Sequence, residues 1–178
     1  MEEKKKSVTM NGIIYGIITA IMVIVFSLIL YIFNLHMNRS VSWIGYLFLL
    51  AGMIWGTLEY RKKTLGGFMS YGKAFSVSFM IILFAGIIYC IYTYFFFQFI
   101  APGSVNELIE MQRQQIAESN VNLTDEQIEQ ALEISARFMT PIWIAVLGFV
   151  QQLIIGAIVC LITSIFLKKE DKSLSAPV

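Results

Sequence analysis

Residues 7–35, SVTMNGIIYGIITAIMVIVFSLILYIFNL, contain no charged side chain. An α-helix needs roughly 20 predominantly apolar residues to cross the hydrocarbon of a bilayer, and this stretch is longer than that. Three further uncharged stretches follow it along the chain: residues 41–58, 74–106 and 139–167. Each is long enough or nearly long enough to span a bilayer, so the four together predict a polytopic membrane protein.

The composition favours a membrane protein over a soluble one. Hydrophobic residues make up 57% of the chain and charged residues 14%, and the mean hydropathy is +0.72. A soluble helical bundle needs polar side chains on its outer face, whereas residues 12–30 offer only Tyr, Thr and Ser. Because lipid satisfies no backbone hydrogen bonds, each span must close its own, which favours helices. We therefore predict an all-α integral membrane protein with four transmembrane helices, at about 11–35, 41–59, 74–100 and 141–167.

Basic residues near the ends of the spans predict the orientation. They precede the first span, separate the second from the third and follow the fourth: Lys4, Lys5, Lys6, Arg61, Lys62, Lys63, Lys73, Lys168, Lys169 and Lys172. These three groups fall on one side of the membrane only if there are four spans. By the positive-inside rule that side is the cytoplasm. We expect a multi-pass protein of the bacterial cytoplasmic (inner) membrane with both termini in the cytoplasm.

The connection between the third and fourth spans carries most of the acidic residues. Residues 102–140 contain seven acidic side chains and two Arg, a net charge of −5. Ser104 with Glu107, and Thr124 with Gln127, form capping-box patterns that start helices. The pattern predicts an extracytoplasmic amphipathic helical hairpin at about 104–139.

The second helix of this hairpin supplies candidate docking residues. Its apolar side chains recur at helical spacing, while most of its charged side chains point elsewhere. We take Ile128, Leu132 and Phe138 as the candidate partner-docking residues.

Small residues recur at four-residue spacing in the first two spans. They are Gly12, Gly16 and Ala20 in span one, and Gly52 and Gly56 in span two. Small residues on one face of a membrane helix let another helix approach closely. These faces predict either packing within the bundle or self-association.

The spans lack the side chains that intramembrane chemistry needs. A charge near the centre of a membrane helix costs roughly 2.5–3.5 kcal/mol, so functional ones stand out. These spans contain none near their centres, and Glu59 lies at the end of the second span. Gln151 and Gln152 are candidates for a polar path, with hydrogen bonding between helices as the alternative. Cys90 and Cys160 fall at different predicted depths, which favours packing over a disulfide. We expect no catalytic residue, no metal site and no cofactor.

Several motifs resemble those of a known family. The start of span three reads GGFMSYGKAF at residues 66–75, and the external loop contains MQRQ at 111–114, LTDEQIE at 123–129 and FMTP at 138–141. This pattern resembles a family of small bacterial four-span membrane proteins known only as a domain of unknown function. Such proteins often have Asp-Pro at the end of span three, where this chain has Ala101-Pro102. The resemblance implies a fold and a membrane topology and carries over no catalytic residue.

Two functional hypotheses follow from these observations. The first is a non-enzymatic structural or interaction protein whose external hairpin docks on a membrane or periplasmic protein, or on a second copy. The second is a small oligomeric transporter or channel subunit with Gln151 and Gln152 facing the path, since four spans alone seldom enclose a pore. We expect the lipid bilayer to surround the spans, and we expect no nucleic-acid partner. The sequence leaves open whether the protein forms a homo-oligomer.

Overall fold

The computed structural model of this chain is built from helices. It describes residues 7–36, 38, 41, 43–118 and 125–169, and none of these lies in a β-strand apart from one isolated bridge. The helices are α1 (Val8–Ile32), α2 (Ile44–Thr64), α3 (Tyr71–Phe95), α4 (Ser104–Glu118), α5 (Asp125–Phe138) and α6 (Pro141–Leu167), and a π-helical turn, Phe96–Ile100, follows α3. The predicted all-α class is confirmed. The predicted signals at Lys4, Lys5, Lys6, Thr124 and Lys172 lie outside the described residues.

Local sequence signals determine where two of the long helices begin. The Ser7 hydroxyl accepts a hydrogen bond from the Met10 backbone N–H at 3.1 Å, which satisfies one of the free donors at the start of α1. Pro141 is the first residue of α6, and its missing N–H costs nothing there because first-turn N–H groups have no partner inside the helix. Each of these two helices therefore begins at a residue that suits a helix N-terminus.

Two glycines end α2 and turn the chain toward α3. Gly66 has φ +65° and Gly67 has φ +98°, and the Gly67 N–H donates to the Arg61 carbonyl at 2.9 Å. A left-handed glycine just after the last helical residues, with the next N–H bonded back to a carbonyl of the last turns, is typical of a helix C-terminus. The double glycine therefore ends α2 as a helix C-cap.

We expect Gly66→Ala to lower the free energy of unfolding by about 1 kcal/mol, because a Cβ disfavours the left-handed conformation. Nothing lies within 4 Å of a Cβ built at Gly66, so the loss reports backbone conformation alone. Gly66→Asn should lose less, since Asn tolerates positive φ. Thermal unfolding in detergent measures both, with Gly72→Ala as the control, because that position also has open space and no positive φ. Equal losses for Ala at 66 and 72 would contradict the cap.

The described helices divide between two compact units. One comprises Met1–Tyr89 and Gln151–Val178, and the other comprises Cys90–Val150. The first unit holds α1, α2, most of α3 and most of α6, and we call it the bundle. The second holds the π-helical turn and the α4–α5 hairpin.

In the bundle, α1 lies antiparallel to α2. Gly56 of α2 lies against Tyr15 of α1. Gly52, one turn earlier on α2, lies against Thr19, one turn later on α1. Asn11, one turn before Tyr15, donates from its side chain to the Gly56 carbonyl at 3.2 Å. The two helices therefore pack side by side over several turns.

The other two helices complete the bundle. Gly12 of α1 lies against Met80 of α3. Gly156 of α6 lies against Ile82 of α3, and the Cys160 thiol contacts the Met53 sulfur of α2 at 3.5 Å. The large apolar side chains that are fully buried in the core come from α2, α3 and α6: Met53, Val77, Ile81, Ile82 and Cys160.

Three helical segments of the described chain are long and apolar enough to cross a membrane: Val8–Ile32, Tyr71–Ile100 and Pro141–Leu167. The fourth predicted span, α2, does not meet the same criteria. Its last turns carry Glu59 followed by Arg61, Lys62 and Lys63, which lower its mean hydropathy. Many large side chains on the three apolar segments are exposed, as expected for helices that face lipid. The chain thus has the features of a multi-pass membrane protein, with three spans rather than four on length and composition.

Candidate functional site

The α4–α5 hairpin is held together by a polar contact and a buried apolar side chain. The Gln112 side-chain amide donates to the Ser135 hydroxyl at 3.1 Å. Leu132 lies one turn before Ser135 on α5, so the two share a helix face, and Leu132 is only 8% exposed. This face of α5 therefore packs inside the protein.

A different face of α5 carries exposed apolar side chains. Ile134 is 61% exposed and Phe138, four residues later, is 49% exposed. The Phe138 ring meets the Trp143 ring edge-on, with centroids 5.7 Å apart, and Trp143 is exposed as well. We call Ile134, Phe138 and Trp143 the apolar edge of the hairpin.

The apolar edge differs from the docking face predicted from the sequence. Phe138 belongs to it, but Leu132 is buried and so packs the hairpin instead of facing a partner. The side chain of Ile128 lies outside the described residues. Sequence reasoning missed Ile134, although its four-residue spacing from Phe138 was a usable signal, because the stripe through Leu132 was the longer one.

The hairpin is acidic around this edge. Residues 104–138 carry seven acidic side chains and two Arg. Arg137 pairs with Glu133 at 3.2 Å, and both side chains are more than 70% exposed. Exposed pairs of this kind contribute about 0.3–0.5 kcal/mol, so this one does little to hold the helix. With Arg137 paired to Glu133, most of the remaining charged side chains of the hairpin are acidic.

The small residues singled out in the first two spans are covered within the chain. A Cβ built on Gly12 would lie 2.7 Å from the Met80 Cβ, and one built on Gly16 would lie 2.7 Å from the Phe84 Cβ. A Cβ built on Gly52 would overlap the Thr19 side chain of α1, and one built on Gly56 would overlap Tyr15. Ala20 is fully buried. These five residues pack α1 against α2 and α3, so none of them offers an exposed face to a second copy.

Buried polar side chains join α2 to α3. The Thr57 hydroxyl donates to the Met53 carbonyl at 2.8 Å, one turn earlier. Its oxygen also lies 2.9 Å from the Ser78 hydroxyl, and both residues are fully buried. Since the Thr57 hydrogen is already engaged, Ser78 is the donor to Thr57. This arrangement satisfies polar groups inside an apolar bundle and holds α2 and α3 in register.

One end of the bundle gathers three chain segments. Arg61 Nη1 of α2 donates to the Leu167 carbonyl at the end of α6, at 2.9 Å. The backbones of Met69 and Lys169 exchange two hydrogen bonds of 2.8 Å each, and the Lys169 ammonium lies 5.7 Å from the centre of the Phe68 ring. These contacts bring together the end of α2, the residues before α3 and the end of α6. We call this group the basic end.

The two glutamines of α6 differ in exposure. Gln151 is exposed, and Gln152 is partly buried. They are neighbours on a helix, so their side chains diverge by about 100° and do not share one face. Joint lining of a polar path by both residues stays a prediction.

The cysteines and those acidic residues that the structure describes form no recognisable metal centre. Cys160 is fully buried against Met53 in the bundle, whereas the Cys90 thiol, in the other unit, contacts the Ala145 carbonyl at 3.4 Å. Both thiols are free. Among the residues that the structure describes, no group of three or more His, Cys, Asp or Glu side chains could hold a metal ion.

Comparisons with known proteins identify a family and assign no activity. Neither the curated proteins nor the solved structures contain a match. A family described as "Protein of unknown function (DUF4199)" matches residues 14–169, from the first turns of α1 to the basic end. The match covers nearly all of the bundle and the whole hairpin, so the chain belongs to this family of proteins of unknown function (DUF4199).

Proposed function

We propose that this protein is a four-span membrane protein that acts without catalysis, by binding a partner protein through the α4–α5 hairpin. The observation that carries the proposal is the apolar edge, three large side chains exposed on an otherwise acidic surface. Contiguous exposed apolar groups rimmed by polar ones are typical of interaction sites. The absence of charged side chains between residues 74 and 100 and between 141 and 167 is the reason that we assign no reaction to the spans.

The packing of α2 supports its role as the fourth span. Contacts between α1 and α2 extend from Asn11 and Gly56 to Phe26 and Phe48, whose rings lie 5.1 Å apart. The two α1 positions are 15 residues apart, about 22 Å along the helix, against a hydrocarbon thickness of about 30 Å. Because α2 packs beside α1 over most of that thickness, α2 also lies within the hydrocarbon in the proposed topology. The charged residues of α2 lie beyond Gly56, in its last turns, where a span leaves the hydrocarbon.

The basic end supports an orientation. It brings Arg61 and Lys169 to one end of the bundle, and their basic neighbours belong to the same short segments. By the positive-inside rule this end faces the cytoplasm. In the proposed topology both termini are cytoplasmic, in the inner membrane of a bacterium. The hairpin, which joins the far ends of the third and fourth spans, then lies outside the cytoplasm.

The chemistry of the hairpin defines the partner. The apolar edge calls for an apolar surface, while the net charge of −5 around it calls for basic groups. Complementary charges at the rim of an interface steer association and weaken with salt. The proposed partner is therefore a membrane or periplasmic protein that presents apolar side chains surrounded by Lys or Arg.

Photo-crosslinking in intact membranes tests this proposal. A benzophenone side chain placed at Ile134 of the full-length protein is expected to give a discrete adduct with a second protein. Adding Phe138→Ser should reduce that adduct by at least about fivefold, because truncating a large side chain at the centre of an interface costs about 1 kcal/mol or more. The same probe at Glu129, which is exposed on the same helix, is the matched control.

Two outcomes would count against docking through the hairpin. One is an equal yield of protein adducts at Ile134 and Glu129, which would indicate random collision. The other is an adduct with lipid alone at Ile134, which would mean that the apolar edge rests on the membrane surface.

A further inference from the structure

The second half of α6 carries a regular exposed stripe. Its members are separated by three, four, three and four residues: Gln151, Ile154, Ile158, Leu161 and Ile165. Gln151 is exposed, and the four apolar side chains are between 46% and 59% exposed. Alternation of three and four is the heptad spacing that lets two helices pack knobs into holes. We call this stripe the α6 seam, and all of it belongs to the bundle.

Gln151 distinguishes the seam from an ordinary lipid-facing surface. It lies ten residues after Pro141 in a 27-residue helix, about 15 Å along the axis and so near the middle of a bilayer about 30 Å thick. An exposed amide at that depth meets hydrocarbon, where its donors and acceptor find no water. A lone chain therefore leaves this group unsatisfied, and a covering helix would satisfy it.

The exposed face of α1 lacks this feature. On α1 the exposed side chains in mid-helix are Ile17, Ile21, Val25 and Ile29, all apolar, which lipid covers at no cost. Of the three apolar segments, α6 is also the least buried within the chain. In the most apolar 18 residues of each segment, 17% are buried in α6, 22% in α1 and 39% in Tyr71–Ile100. The least covered of the three segments thus carries an exposed amide near mid-depth, in the α6 seam.

We propose that two copies of this chain pair through their α6 seams, with the two Gln151 side chains hydrogen-bonded to each other. Both copies share one membrane orientation, so a two-fold axis along the membrane normal sets the two α6 helices parallel and places each seam residue opposite its own copy. An amide carries both a donor and an acceptor, so each Gln151 donates to the carbonyl of the other. The pairing needs α6 to cross the bilayer and does not depend on docking through the hairpin.

Dimerisation of the full-length protein in liposomes tests the proposal. Energy transfer between labelled copies, followed as the protein-to-lipid ratio is lowered, should reveal a dimer. Gln151→Leu is expected to weaken it about 3-fold to 20-fold, the range found for hydrogen bonds between membrane helices. Gln152→Leu is the matched control, since it makes the same change one residue away on a partly buried face, and it should leave the dimer unchanged.

Oxidative crosslinking in membranes identifies the face. Ile154→Cys should form a disulfide-linked dimer above the wild-type background, because the seam brings the two copies of this position together. Phe166→Cys should not, although Phe166 is more exposed, because it follows Ile165 by one residue and so points about 100° away from the seam. The proposal is overturned if the protein is monomeric at every lipid ratio. It is also overturned if a dimer forms that ignores Gln151→Leu and crosslinks through Phe166→Cys.

Discussion

Gly16→Leu is expected to lower the free energy of unfolding of the bundle by about 3 kcal/mol, the upper part of the range for overpacked cores. A Cβ at this position would lie 2.7 Å from the Phe84 Cβ, 3.1 Å from the Ala85 backbone nitrogen and 3.1 Å from the Ile81 carbonyl oxygen. Two of these atoms belong to the backbone of α3, so no rotation of a side chain relieves the overlap. Either α3 moves away from α1 or the packing is lost.

Thermal unfolding in detergent measures this loss. For a chain of this length, 3 kcal/mol corresponds to a fall in Tm of roughly 6–12 °C. The control is Gly148→Leu, because a Cβ at Gly148 meets nothing within 4 Å and the residue is exposed. If both variants lost the same stability, the effect would reflect Leu in a glycine position generally, and the close approach of α1 to α3 would not be its cause.

The same glycines show how far sequence reasoning reached. The four-residue spacing of Gly12 and Gly16 predicted a close helix contact, since that inference needs only helical periodicity. The spacing contains no information on which helix covers the face, so packing and self-association both stayed open. The structure places α3 over this face, a choice that depends on contacts about 68 residues away along the chain.

The basic end shows the same limit for polar contacts. The sequence grouped Arg61 and Lys169 by charge, and the positive-inside rule is enough for that. The hydrogen bond from Arg61 to the Leu167 carbonyl joins residues 106 positions apart, and no local pattern predicts it. Its physical role is to satisfy one of the carbonyls left without a partner at the end of α6, a requirement that every helix end has and that many side chains could meet.

The hairpin illustrates a different limit. Both apolar stripes of α5 can be recognised in the sequence, but the sequence does not show which one is buried. Leu132 and Ile134 lie two residues apart, about 200° around α5, so they face opposite sides of the helix. Periodicity identifies both faces, but only the position of α4 decides which one is covered. The structure buries Leu132 and exposes Ile134, and the prediction chose the stripe with more members.

Leu132→Ala is therefore expected to destabilise the hairpin by about 3 kcal/mol, within the usual 2–5 kcal/mol for truncating a buried leucine. Because α4 and α5 pack on each other, they should open together. Backbone amides of both helices should then exchange hydrogen about 100-fold faster, as 1.4 kcal/mol corresponds to a factor of ten. Hydrogen exchange followed by mass spectrometry of peptides from residues 104–118 and 125–138 measures this.

Ile134→Ala is the control that separates folding from binding. It removes an exposed side chain two residues away, so the exchange of both helices should change by less than about threefold, as for most surface substitutions. The proposed docking should nevertheless weaken, since Ile134 belongs to the apolar edge. If Ile134→Ala instead accelerated exchange as strongly as Leu132→Ala, Ile134 would be a packing residue and the apolar edge would lose its part in recognition. If Leu132→Ala left exchange unchanged, α4 and α5 would not form the cooperative hairpin described above.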